Sequence, residues 1–239
     1  MTYGVDYLKV LYTNTDGLIS KKLELNDLIS ERKPDVICLT DTKLLKDIEV
    51  DLLGWSKYNV WRRDRKHKSG GGVCIMTDRR LVVKEIEVEA SKVEIVVIEV
   101  LVGGREKIVV ATVYVPPQTR AWKKEEHYLL KGETLAVLQD LLKCINHILL
   151  CGDINYKDVK WEEYEAGSEE GSWGNNLLDL MVDNTLHQYV KETTRERGGD
   201  AHTRLDLVFT REERELEDVT CLPPLGKSNY LVLELSILM

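Results

Sequence analysis

Nine short runs rich in β-branched and apolar residues are spread along this chain, against three segments of helical period. The runs occupy 8–13, 36–40, 72–77, 81–88, 93–102, 107–115, 148–151, 205–209 and 230–237. Each has strand length and is bounded by turn-forming residues. Gly103-Gly104, between two β-branched runs, predicts a hairpin turn. Helical spacing covers 22–32, with Leu25, Leu28 and Ile29 on one face. It returns at 125–143, with Leu129, Leu135, Leu138, Leu141 and Leu142, and at 175–184. Lys33-Pro34 closes the first helix, because the residue before a proline is driven out of the helical region. This pattern predicts an α/β fold of two packed mixed β-sheets flanked by helices, a four-layer sandwich rather than a doubly wound parallel sheet. No repeat or linker divides the chain, so one domain over 1–239 is expected.

Composition narrows the function. With 43% hydrophobic residues and five prolines, disorder is excluded as the main state. The longest apolar runs stop far short of the ~20 residues of a membrane helix. Met1–Tyr7 leads straight into a strand-like run, so no secretory leader is expected. Five cysteines without a C-x-x-C pair, each in or beside an apolar segment, predict buried free thiols rather than disulfides or a zinc site. An intracellular protein is expected. A net charge of −8 opposes non-specific coating of nucleic acid, but not an enzyme with local basic patches. Such a patch stands at Arg62, Arg63, Arg65, Lys66 and Lys68, and an acidic stretch at Glu162, Glu163, Glu165, Glu169 and Glu170.

Polar residues at the ends of the strand-like runs carry the chemical signal. Six edges stand out: Thr13–Gly17, Leu39–Lys43, Val113–Pro117, Leu150–Asn155, Thr203–Val208 and Gly226–Tyr230. Taken alone, an Asp after a buried strand more often caps a turn. In order, the set resembles the endonuclease/exonuclease/phosphatase family, above all the apurinic/apyrimidinic-like endonuclease domain of non-LTR (LINE-type) retrotransposons. Asn14-x-Asp16-Gly17 is similar to the opening N-x-D-G, LTDTKL over 39–44 to LTETKL, and Tyr114-Val115-Pro116-Pro117 to Y-x-P-P. Gly152–Asn155 resembles G-D-x-N, 205–210 an LDLVFT strand, and Ser228-Asn229-Tyr230 stands where the family closes with S-D-H.

The resemblance implies a DNA endonuclease that hydrolyses a phosphodiester with Mg²⁺ or Mn²⁺. Such chemistry needs an in-line water, a clamp for the phosphate and help for the leaving oxygen. A hard cation suits a site of carboxylates and amides, and His and Cys do not cluster here. By carry-over, Asp41, Asn14 and Asp16 would hold the metal. Asp153 would orient or deprotonate the water, Asn14 and Asn155 would bind the phosphate or metal, Tyr114 would donate to the phosphate, and Asp206 would pair with the closing histidine. Asn229 and Tyr230 complete the catalytic set.

Three positions depart from the family: Asp41 for Glu, Asn229 for Asp and Tyr230 for His. Asp41 keeps its charge but is one methylene shorter. Asn229 loses a carboxylate and keeps an acceptor. Tyr230 replaces the site's imidazole by a phenol that stays neutral near pH 7. Losing one preorganised donor costs ~10²–10³ in rate, so reduced activity is expected. The alternative is an inactive nuclease-fold module that binds DNA or protein. Of the five histidines, His67, His127, His147 and His187 read as structural, and His202 is the candidate to approach the cleft. Arg62, Arg63, Lys66, Lys123 and Arg204, near Trp61 and Trp122, are candidate contacts to double-stranded DNA. The loop over 191–202 resembles in place the hairpin with which retrotransposon endonucleases probe DNA. Trp161 and Trp173 read as core anchors. The resemblance further implies nuclear work, and a monomer is expected; no protein partner is legible.

Overall fold

The β-rich runs pair into two six-stranded sheets in a computed structural model that describes residues 7–48, 54–66, 68–89, 92–102, 106–120, 122–167, 171–195 and 203–238. The first sheet runs β13 (Leu216–Leu222), β14 (Val232–Leu238), β1 (Tyr7–Asn14), β2 (Val36–Thr40), β4 (Val73–Asp78), β3 (Tyr58–Arg63). The second runs β11 (His187–Gln188), β12 (Asp206–Thr210), β8 (Ile148–Asp153), β7 (Glu106–Tyr114), β6 (Glu94–Val102), β5 (Val82–Glu85). A short pair, β9 (Val159–Lys160) and β10 (Glu165–Ala166), stands apart. In each large sheet one central pair is parallel, β1 with β2 and β7 with β8. Parallel neighbours need a crossover, and helices supply it. α1 (Lys22–Arg32) joins β1 to β2, and α2 (Lys124–Cys144) joins β7 to β8.

Alternation along each strand divides its residues between two faces. Inward residues Leu8, Val10, Tyr12 and Cys38 of the first sheet meet Val110, Leu149, Cys151 and Val208 of the second. Outward, Leu11, Ile37 and Leu39 pack with Leu25 of α1 and with Trp55. On the far side Ala111, Val113, Leu150 and Phe209 pack under Leu138 and Leu142 of α2 and Leu177 and Met181 of α3 (Trp173–Asp183). Each such buried side chain contributes about 1.5–3 kcal/mol. The layers are therefore helix, sheet, sheet, helix, as the strand and helix pattern predicts.

The helix expected over 22–32 has those bounds, and Lys33 ends it in a left-handed conformation, its N–H donating to the Ile29 carbonyl. α3 starts earlier than its apolar period, because the Ser172 hydroxyl accepts from the Asn175 N–H and caps it. Of the basic patch, Arg62 and Arg63 belong to β3 rather than to a loop. β13 also escaped the sequence reading. Both are edge strands, where charged residues blunt the open edge and hide the alternation. Trp161 is buried and Trp173 partly so, as expected of core anchors. Cys38, Cys74, Cys151 and Cys221 are free thiols, and no helix among the described residues is long and apolar enough to cross a membrane. The Gly103-Gly104 turn, His67, His202, Glu169, Glu170 and residues 196–202 of the 191–202 loop lie outside the described residues.

Candidate active site

Register brings the polar strand ends together. Glu94 of β6 pairs with Tyr114 of β7, Tyr114 with Asp153 of β8, and Asp153 with Asp206 of β12. Residues opposite one another share a face, so the four side chains form one rung across four strands. That rung continues the inward rows of Cys151 and Val208 and therefore looks toward the first sheet. Side chains of β1 close the gap. Asn14 Nδ2 donates to Asp153 Oδ2 at 2.7 Å, and the Tyr12 hydroxyl donates to Asp206 Oδ1 at 2.6 Å. The site thus sits where the two sheets end together, beyond the carboxyl ends of both parallel pairs.

Electrostatics follow from burial. Asp153 is wholly buried, and desolvation pushes its carboxyl well above the usual range. The charge of Asp206 adds to that rise, while Asn14 and the Asn155 N–H oppose it. Asp206 is pushed up to about 6 by the same desolvation, against which its bond from Tyr12 acts. Its Oδ2 is buried with no hydrogen-bond partner among the described residues. Burial, then the charges of Asp41 and Asp153, holds the Tyr114 phenol neutral. Asn155 Nδ2 is anchored on the Val115 carbonyl at 2.9 Å, and its own φ is +48°.

The first sheet contributes a carboxylate pair. Lys43 Nζ lies 2.5 Å from Asp16 Oδ1 and 3.4 Å from Asp41 Oδ2. Burial opposes the Lys43 charge, but these two partners raise its pKa above the ordinary lysine value. Asp16, Asp41 and Lys43 have φ of 45°, 46° and 53°, a left-handed conformation that costs free energy and clusters at functional sites. The Gly71 N–H donates to Asp41 Oδ1 at 2.6 Å. Gly71 has φ +74°, which favours glycine, and a Cβ there would lie 2.3 Å from the Arg65 guanidinium, which would have to shift. Among the described residues no three of His, Cys, Asp and Glu come together as a ready metal cage. The oxygen donors of Asp16 and Asp41, already sharing one cation, fit a hard ion that keeps most of its waters.

Tyr230 and Asn229 stand before β14, beside the end of β1. The Ser228 hydroxyl accepts from the Tyr230 N–H at 3.2 Å, and Thr13 Oγ1 donates to the Leu231 carbonyl at 3.1 Å. The Tyr230 ring is 9% exposed, and burial with the nearby charge of Asp153 keeps its phenol neutral. Asn229 is half-buried. His127 Nε2 bonds the Pro116 carbonyl, and His147 pairs with Glu215.

The basic residues divide. Arg62 pairs with Asp64 and donates to the Leu45 and Lys46 carbonyls, Arg63 donates to the Val88 carbonyl, and Arg204 pairs with Glu162. Lys66 and Lys123 are exposed. Sequence reasoning missed Tyr12, Glu94, Arg65 and Lys43 as site residues. Arg65 pairs with Glu94 at 2.6 Å and lies over the Tyr114 and Trp122 rings. Lys43 stands inside a motif already noted, and Tyr12 is two residues from Asn14 on the same face. Glu94, a lone acid opening an apolar run, gave no comparable signal.

Fold and site geometry define a nuclease-fold protein, and the comparisons place it more closely. The chain belongs to the endonuclease-reverse transcriptase family, whose profile matches residues 108–227. An exodeoxyribonuclease of Bacillus subtilis (strain 168) is 28% identical over 197 residues, covering 76% of each chain. The endonuclease domain of TRAS1, a telomere-specific non-LTR retrotransposon, has a similar structure. Its TM-score is 0.69 at 19% identity, with 96% of this chain and 98% of that one covered. The AP endonuclease LMAP from Leishmania major gives a TM-score of 0.76 at 13% identity, covering 98% and 88%.

Proposed function

We propose that this chain is a Mg²⁺- or Mn²⁺-dependent endonuclease of retrotransposon type that nicks double-stranded DNA at a reduced rate. The observation that carries the reading is the rung of Tyr114, Asp153 and Asp206, tied to Asn14 and Tyr12 at the mouth between the sheets. Asp153, whose burial makes its carboxyl more basic, would accept a proton from the attacking water. Asn14 and the Asn155 backbone hold its two oxygens in place. Tyr114, kept as a phenol, would donate to a phosphate oxygen, and the Asn155 amide, anchored on the Val115 carbonyl, would help orient the ester. Asp16 and Asp41, with Asn14 behind them, would hold the metal, displacing Lys43. The bound ion would neutralise phosphate charge and assist the leaving oxygen.

Asp206 Oδ2 is buried with no hydrogen-bond partner among the described residues. Asp41, Asn229 and Tyr230, at the positions of the family's Glu, Asp and His, support a slow enzyme rather than a fast one. The same observation favours the second reading, an inactive module that binds DNA or protein. Further parts of the proposal are one domain over 1–239, a monomer working in the nucleus, and DNA contact through Lys66, Lys123, Arg62, Arg63 and Arg204. Conversion of supercoiled plasmid to open circle tests the reading. Slow, EDTA-sensitive nicking that Asp153→Ala abolishes is the expected result; nicking that survives EDTA or Asp153→Ala refutes it.

A further inference from the structure

The tyrosine that replaces the expected histidine carries a cation on its ring. The Arg195 guanidinium carbon lies 5.5 Å from the Tyr230 ring centroid. The Arg195 backbone bridges to both Thr203 and Tyr230. Its neighbour Thr194 accepts the N–H groups of Leu205 and Asp206 on its hydroxyl. The stitching that fixes Asp206 therefore fixes Arg195 as well. The arginine charge opposes the rise that burial gives the Asp206 and Tyr230 groups, in keeping with its place on the Tyr230 ring. Arg195 Nε is buried with no acceptor among the described residues, which leaves a donor unused there.

A neutral phenol supplies no positive charge to a phosphate as its oxygens gain charge. A guanidinium is cationic at every working pH, is weakly hydrated and forks onto phosphate oxygens. Stacking on an aromatic face holds it without consuming its N–H groups. We propose that Arg195, stationed on the Tyr230 ring, is the catalytic cation that meets the scissile phosphate in this chain, in place of an imidazolium. The inference rests on the nuclease reading above. Tyr230 is then a platform, and Arg195 makes up part of what the exchange at 230 removes.

Arg195→Met and Arg195→Lys, each in the parent and in a Tyr230→His background, test it. Plasmid nicking gives kcat and KM, and duplex affinity in EDTA at several salt concentrations gives the salt slope. Arg195→Met should lower parental kcat ~100-fold with KM little changed. Arg195→Lys should recover about tenfold of that, because the charge is kept without the fork. In the Tyr230→His background the loss should shrink to less than about tenfold, since the imidazolium shares the task. That background should also acquire a fall in rate as the histidine deprotonates near pH ~6.5, absent from the parent. The salt slope should drop by about one unit in Arg195→Met. Unchanged nicking in Arg195→Met overturns the proposal, whatever the slope. An equal loss in both backgrounds overturns it too, marking a structural role. A parent without any metal-dependent nicking refutes the nuclease reading, and the slope then decides: a drop of one unit retains Arg195 as a phosphate contact, and no drop removes it.

Discussion

At the residue scale, the site is governed by how water is kept from charge. Asp206 is wholly buried with one oxygen bonded to Tyr12 and the other unpartnered. Its carboxyl is pushed up to about 6 from an ordinary 3.8. The folded state therefore binds this proton more tightly than the unfolded chain, so the contribution of Asp206 to stability falls as pH rises from about 3.8 to 6. Asp206→Asn keeps the acceptor for Tyr12 and removes the charge. Relative to the parent it should gain up to about 3 kcal/mol between pH ~4 and ~8, read by urea unfolding at each pH. A difference that stays constant across that range would mean Asp206 is not strained by its burial. Sequence alone placed Asp206, Asp153, Asn14 and Tyr114 correctly at strand ends, because a polar residue closing an apolar run is visible. It did not place Glu94, Arg65 or Tyr12, whose partners lie in distant strands and depend on register.

At the element scale, two parallel pairs with one crossover helix each decide where the site forms. The inner strands were legible since their apolar alternation is strong; β3 and β13 were not, because edge strands trade that alternation for charge. The rung depends on the close approach of β7 and β8. A Cβ at Gly152 would lie 2.1 Å from the Val113 carbonyl oxygen, backbone that cannot step aside. Gly152→Ala should therefore cost about 2–3 kcal/mol and lower nicking together with stability. Gly132, on α2, has open space around its Cβ, and Gly132→Ala should be neutral or stabilising by up to about 1 kcal/mol. Thermal unfolding of the pair checks this: equal melting temperatures would show that the strands can spread at no cost.

At the scale of the whole molecule, an acidic chain gathers carboxylates at one end of its sandwich and tempers them with Lys43, Arg65 and Arg195. A divalent ion that binds only the folded state should raise the melting temperature, by about 2–4 °C for each kcal/mol of binding. Millimolar Mg²⁺ or Mn²⁺ should do so in the parent and fail in Asp16→Asn with Asp41→Asn; a shift that persists in the double variant would place the ion elsewhere. The central claim is that a nuclease site survives here with its rate limited at three positions. Plasmid nicking by the triple variant Asp41→Glu, Asn229→Asp, Tyr230→His addresses that claim most directly. The histidine would return a donor that can be cationic to the cleft. At least ~100-fold faster nicking than the parent is expected, abolished by Asp153→Ala in that background. A triple variant that is folded and no faster than the parent would contradict the account.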